Sequence, residues 1–212
     1  MRAFPNNSGA GTNGQAVNTN AQGIFNPVVG SGADYEIDKK DGSKNNISIA
    51  VVGKEPAEGK DGYWLETTAD DPRMGTIVMK MLLVVDGNSS HAAKMVMQMP
   101  GRRPIEMPMG MGGRMPMAQQ PEDIRDKADD LGSESVTVPA GTFTCEHYRG
   151  KQDGDDVWVS KDAPPYGLVK MVQSDKSTTM VLTKVESNVQ DKITGTPQPF
   201  NPMMMGRGQP PQ

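Results

Sequence analysis

A period of two dominates this sequence and limits what it can fold into. In "GTIVMKMLLVVD" the odd positions Ile77, Met79, Met81, Leu83 and Val85 are all apolar, whereas the even positions mix Thr76, Lys80 and Asp86 with Val78, Leu82 and Val84. Successive side chains leave a strand on opposite faces, so this stretch has one wholly apolar face and one partly wet face. "NISIAVV" sets Ile47, Ile49 and Val51 on one side, and "HAAKMVMQM" sets Ala93, Met95, Met97 and Met99 against Lys94 and Gln98. "TFTCEHYR" divides Phe143, Cys145 and His147 from Thr142, Thr144, Glu146 and Tyr148. Between the runs stand "KKDGSKNN", "EGKDG", "ADDPRMG", "VDGNSS", "PAG", "KQDGDD" and "QSDKST". Asp-Gly pairs and Asn/Asp/Ser clusters between alternating runs are hairpin signals, because these residues tolerate the backbone angles of tight turns. The pattern predicts strands over 33–40, 46–53, 62–69, 75–86, 91–99, 134–138, 141–150, 155–160, 167–173 and 177–186. Links this short pair sequential neighbours antiparallel, which makes a meander and a mainly β domain over 33–186.

One segment breaks the alternation. "QQPEDIRDKADDLG" opens with Pro121, Glu122 and Asp123 and ends at Gly132. Proline and acids in a first turn and glycine past the end predict a short helix. That helix closes a long insertion, 100–132, and connections of that length tend to be functional or disordered. The flanks differ from the middle: 1–32 is rich in glycine and asparagine, and 187–212 is rich in proline, methionine and glycine. Neither has the periodic apolar surface that offsets ordering entropy, so both are expected to be disordered. One thin helix cannot cover the apolar face of some ten strands, so the sheet must curl on itself or leave a groove.

Composition excludes several functions. A formal charge of −4 argues against a nucleic-acid partner, which calls for a basic face. Arg102, Arg103, Arg114 and Arg207 sit beside glycines and read as solvated loop charges. The single cysteine, Cys145, rules out an internal disulfide and a multi-cysteine zinc site. No run of 18 apolar residues spans a membrane, and "MRAFPNNSGAG" shows no apolar signal core.

The stretch "MVMQMPGRRPIEMPMGMGGRMPM" holds eight of the chain's 17 methionines. Thioether sulfur is a soft ligand suited to Cu(I), and Met107, Met109, Met111, Met115 and Met117 have the density to supply three ligands to one ion. The tract carries no histidine, and its proline and glycine interruptions equally suit an apolar flap or a plain loop. The flap is the reading preferred here, with soft-metal binding as the alternative. Cys145 and His147 fall on one face of a regular strand, but residues two apart sit about 7 Å from each other, too far for a catalytic hydrogen bond. Paired carboxylates such as Asp70–Asp71 and Asp155–Asp156 lie in turns and point to water.

The block "SVTVPAGTFTCEHY", followed by "VWVS" and "PPYGLVK", resembles a group of exported bacterial proteins built around the same elements. More loosely, the chain is similar to the lipoprotein-carrier superfamily typified by the periplasmic lipoprotein chaperone. That resemblance implies a curved antiparallel sheet, an open half-barrel whose concave face shelters acyl chains. It also implies export to the periplasm or envelope, no catalytic residues and no cofactor. The expected partner is an apolar ligand or a lipidated protein, with peripheral membrane association at most. The lining expected on that face is Met79, Met81, Met95, Met97 and Met99, with Val157 and Val159. A third possibility is an envelope interaction module without a small ligand.

Overall fold

A computed structural model describes residues 25–71, 74–86, 89–108 and 127–201. The strands are β1 (Gly32–Lys39), β2 (Lys44–Ala57), β3 (Lys60–Asp71), β4 (Gly75–Asp86), β5 (Ser89–Gln98), β6 (Ile105–Glu106), β7 (Ala128–Val138), β8 (Gly141–Gly150), β9 (Asp156–Val159), β10 (Leu168–Val172), β11 (Thr178–Glu186) and β12 (Gln198–Pro199). All belong to one 12-stranded sheet in the order β12-β6-β5-β4-β3-β2-β1-β11-β10-β9-β8-β7. The fold is the mainly β, open, curved antiparallel sheet that the alternation and the resemblance led us to expect. No helix occurs among the described residues, and so none there is long and apolar enough to cross a membrane.

The order contains two meanders, β1 to β6 and β7 to β11, joined through β1 and β11. Tyr35 pairs with Leu182 and Ile37 with Met180 across that joint. Sequential pairing therefore breaks twice, between β6 and β7, which end up toward opposite margins of the sheet, and between β11 and β12, which crosses to β6. The short strands β6 and β12 were not expected. They form a parallel pair, with Gln198 opposite Ile105.

The expected helix is corrected where it can be seen. Residues 109–126 lie outside the described set, but Ala128–Leu131 are strand. Asp129 pairs with Arg149 and Asp130 with Tyr148, and a bulge separates Asp130 from Gly132. Without this pairing the outer edge of β8 would lack ladder partners, and Ala128 at 5% exposure reaches the core. Over Ala128–Leu131 the expected helix is thus replaced by strand, whereas Pro121, Glu122 and Asp123 lie outside the described residues. Gly132 takes φ +96°, which its missing Cβ permits, and absorbs the bulge.

Curvature follows from contacts that a flat sheet forbids. On a flat sheet β7 and β11 would be about 19 Å apart at the usual strand spacing. Here some of their Cα atoms approach within 8 Å, and the Ala140 amide of the β7–β8 turn donates to the Leu182 carbonyl at 3.3 Å. The β7–β8 arm is rolled back over β10 and β11. That roll lets the sheet bury its own apolar face. One continuous core takes Tyr35, Ile49, Leu65, Met81, Met95, Cys145, Val157, Met171 and Leu182 from nine different strands. Each such side chain contributes roughly 1.5–3 kcal/mol of burial.

The other face is covered in part by the C-terminal segment. Of the stretch expected to be a disordered tail, residues 187–201 are described, and they cross the outside of the sheet from β11 to β6. The Val189 amide donates to the Gly30 carbonyl and the Lys192 amide to a Glu66 oxygen, Lys80 pairs with Asp191, and Ile193 is 7% exposed.

Candidate functional site

The inward face is built from methionine rows set by register. Met79 lies opposite Met97 and Met81 opposite Met95 on β4 and β5, and the Met107 amide donates to the Met95 carbonyl, carrying the row one step further. In the other meander Val157 faces Met171, which faces Met180, which faces Ile37 of β1. Met79, Met81 and Met95 are each 2% exposed, Met97 is 7% exposed, Val157 and Val159 are buried, and Met99 is half-buried against the same cluster. All seven residues expected to line a ligand thus converge on one apolar cluster.

Sequence reasoning missed Met171, Met180 and Met107 as members of this cluster. The first two sit at inward positions of "GLVKMVQ" and "STTMVLTKV", so the alternation could have found them. Met107 could not be found, because its inward position depends on the two-residue strand β6. One pairing slip also shifts a residue. A bulge in the β4–β5 ladder between Leu82 and Leu83 places Ala92, not Ala93, on the core face.

The cluster contains one polar spot. The buried Tyr35 hydroxyl donates to the Leu168 carbonyl at 3.2 Å. Burial raises its pKa well above the usual phenol range, and Asp34 adds to the effect. Tyr166, also buried and tilted against Phe25 at 5.4 Å between ring centroids, is raised first by burial and then by Tyr35. Both phenols therefore stay neutral hydrogen-bonding groups inside an apolar interior.

Two clefts formed by described residues lie elsewhere. One, of about 330 Å³, lies between β1–β3 and the crossing C-terminal segment and includes Glu66 and Lys192. The other, of about 610 Å³, lies at the β6 margin and includes Arg102 and Arg103. Neither lining includes the core methionines, whose side chains are packed together in this conformation.

The structure separates Cys145 from His147. Cys145 is sealed in the core at 1% exposure, and burial, with a smaller push from Glu134, raises its thiol to about 11. His147 instead stacks on Trp158 at 4.3 Å, with Nδ1 3.1 Å from Glu134 and Nε2 3.0 Å from Asp156. Burial pushes the Asp156 carboxyl up, but hydrogen bonds from Arg149 and His147 outweigh it and hold the group below its ordinary range. Lys170 lies 4.8 Å over the Trp158 ring and completes a row across the outer face. That row is internally satisfied and presents no free nucleophile.

Of the candidate soft-metal ligands, Met107 is 3% exposed within the core, where its sulfur is shut away from solvent. Met109, Met111, Met115 and Met117 lie outside the described residues. Among the described residues no group of three or more His, Cys, Asp or Glu side chains is placed to hold a metal ion.

No family model matches the chain, and no curated protein matches its sequence. Among solved structures it is similar to an exported protein with a YmcC-like fold from Bacteroides fragilis, at 14% identity over 78% of this chain and 99% of that one, with a TM-score of 0.43. It is also similar to the MucA/MucB complex of Pseudomonas aeruginosa, at 12% identity over 76% of this chain and 52% of that one, with a TM-score of 0.36. A third is an outer membrane lipoprotein-sorting protein domain from Vibrio parahaemolyticus, at 13% identity over 76% of this chain and 87% of that one, with a TM-score of 0.35. At these identities the likeness concerns the course of the sheet alone.

Proposed function

We propose that this chain is a non-enzymatic exported protein that shelters an apolar ligand, a lipid or a lipidated partner, on the inner face of its curved sheet. The observation behind this reading is the methionine-rich inner face of an open sheet. Met79, Met81, Met95, Met97, Met107, Met171 and Met180 share one interior, and no helix covers it among the described residues. Methionine is unbranched and flexible, so a core rich in it repacks around a guest at lower cost than one of branched side chains. The sheet order is linear, with β12 and β7 at its ends, so the sheet can part there without breaking a described ladder hydrogen bond. Each methylene moved from water into such an interior gains about 0.8 kcal/mol, so a long acyl chain offsets a repacking cost of several kcal/mol. The buried Tyr35 and Tyr166 phenols supply neutral polar contacts for a carbonyl or ester group.

Native mass spectrometry of the protein purified from cells, followed by displacement of a fluorescent fatty acid, tests the proposal. An acyl-type adduct and one-to-one displacement are expected. A folded protein that carries no adduct and takes up no probe would overturn it.

A further inference from the structure

The cleft at the β6 margin brings two arginines together in one lining. Several basic side chains elsewhere are neutralised in pairs: Lys44 with Glu36 and Asp38, Lys54 with Asp61, Lys94 with Glu55, Arg149 with Asp156 and Lys184 with Glu186. Arg102 and Arg103 have no such partner among the described residues, although they are neighbours in the chain and line one cleft of about 610 Å³. Among the described residues no acidic side chain lines it, in a chain whose formal charge is −4. Thr194, Thr196 and Gln198 add polar groups from the C-terminal segment, and Gln98 adds an amide from β5.

The cleft is built rather than incidental. The Arg102 amide donates to the Met99 carbonyl at 3.1 Å, which fixes the turn after β5. On the opposite wall the Gln198 amide donates to the Pro104 carbonyl at 2.9 Å and the Phe200 amide to the Glu106 carbonyl at 3.1 Å. Two segments distant in sequence are thus held face to face, one bringing guanidinium groups and the other hydroxyls.

We infer that this cleft binds a phosphate ester, with Arg102 and Arg103 gripping the phosphate and Thr194 and Thr196 donating to its remaining oxygens. A carboxylate has two oxygens, which one guanidinium satisfies in bidentate fashion. Two adjacent guanidiniums match a group with three or four oxygens and up to two charges. The volume leaves room for an organic substituent beside the phosphate, so the ester is either a free metabolite-sized molecule or a lipid headgroup. Occupancy ties the β5–β6 turn to the C-terminal segment and so fastens that segment to the sheet. The site is independent of the apolar interior and stands whether or not that interior takes a lipid.

The full chain is titrated calorimetrically with glycerol 3-phosphate at physiological ionic strength. In parallel it is sedimented with phosphatidylcholine vesicles, with and without phosphatidylglycerol. Binding in the soluble arm supports a free phosphate ester, and binding to the phosphatidylglycerol vesicles alone supports a headgroup. Arg102→Gln with Arg103→Gln is expected to weaken either by about a hundredfold, the loss of two charge-assisted contacts. Arg149→Gln, in the Asp156 pair, should leave binding within about twofold. Amide exchange at 194–199 slows when the ligand is bound. If the double variant misfolds, Arg103→Gln alone, at an exposed position, carries the test through a partial loss. Absence of binding in both arms, or undiminished binding by a folded arginine variant, overturns the inference.

Discussion

Replacing Glu66 with glutamine should stabilise the domain at alkaline pH and leave it unchanged in acid. Glu66 is 2% exposed beneath the crossing C-terminal segment. Burial drives its carboxyl from 4.5 to about 7, partly opposed by the hydrogen bond from the Lys192 amide and reinforced by the neighbouring Asp191. In the unfolded chain the group returns to its ordinary value. Below that value both states are protonated and the group contributes nothing to the pH dependence. As pH rises toward 7 the unfolded chain releases its proton while the native protein keeps it, so stability falls. The loss is complete above about 7 and amounts to ~3 kcal/mol at ~1.4 kcal/mol per decade. Glutamine mimics the protonated acid at every pH. Its oxygen can accept from the Lys192 amide, which donates to Glu66 at 3.0 Å, and its NH₂ can donate to Asp191.

Urea unfolding of both proteins between pH 4 and pH 8 is the assay. The parent should lose stability across the window from 4.5 to about 7, and Glu66→Gln should not. Lifting the C-terminal segment offers a local escape. It exposes Ile193 and the Lys80–Asp191 pair, at a cost of roughly 2–4 kcal/mol, comparable to the penalty it relieves. The Lys192 and Ile193 amides should therefore exchange faster at pH 8 than base catalysis alone explains, and only in the parent. A parent whose stability is flat from pH 5 to pH 8, or a variant less stable than the parent at pH 8, would refute the reasoning.

Two further expectations follow from the packing. Gly62→Ala should cost roughly 2–3 kcal/mol in the same urea assay, because an added Cβ falls 2.5 Å from the Glu55 carbonyl oxygen and 2.9 Å from Leu82 Cδ1, and the first of these is backbone that cannot swing aside. A cost under about 0.5 kcal/mol would show that the β2–β3 ladder yields there. Cys145, sealed in the core with its thiol raised to about 11, should resist iodoacetamide at pH 8 until denaturant is added. Rapid labelling of the native protein would mean that β8 opens locally.

The strands could be read in the sequence because each carries its own period. Met79, Met81, Met95 and Met97 recur at every second position, with Lys80, Lys94 and Gln98 among the residues beside them, and a one-residue slip would turn the whole row to the other face. What stayed hidden depended on pairings between distant segments. Nothing in "GADYEIDK" announces that its outer edge belongs to "TTMVLTKVE", and that one pairing sets the order of the whole sheet. The same holds for Ala128–Leu131, where local helix signals yielded to the unpaired edge of β8. Cys145 and His147, expected on one face, were parted on a rolled and bulged arm that no two-residue period describes.

The even positions of β4 carried a signal that went unused. Leu82 and Val84 are both 0% exposed, so the face read as partly wet is closed over them. An apolar pair on an outward face requires cover, and part of that face's cover came from a stretch whose composition suggested disorder. Ile193 is flanked by Asp191, Lys192, Thr194 and Gly195, with no period to mark it, yet it is buried. Glu66 is the consequence. A carboxyl that would titrate normally on an open sheet face is trapped by a segment that follows the last long strand, and its raised pKa records that docking. The pH dependence of stability thus tests a piece of tertiary structure invisible to local pattern: if the segment did not lie across β3, Glu66 would be an ordinary exposed acid and the glutamine variant would change nothing.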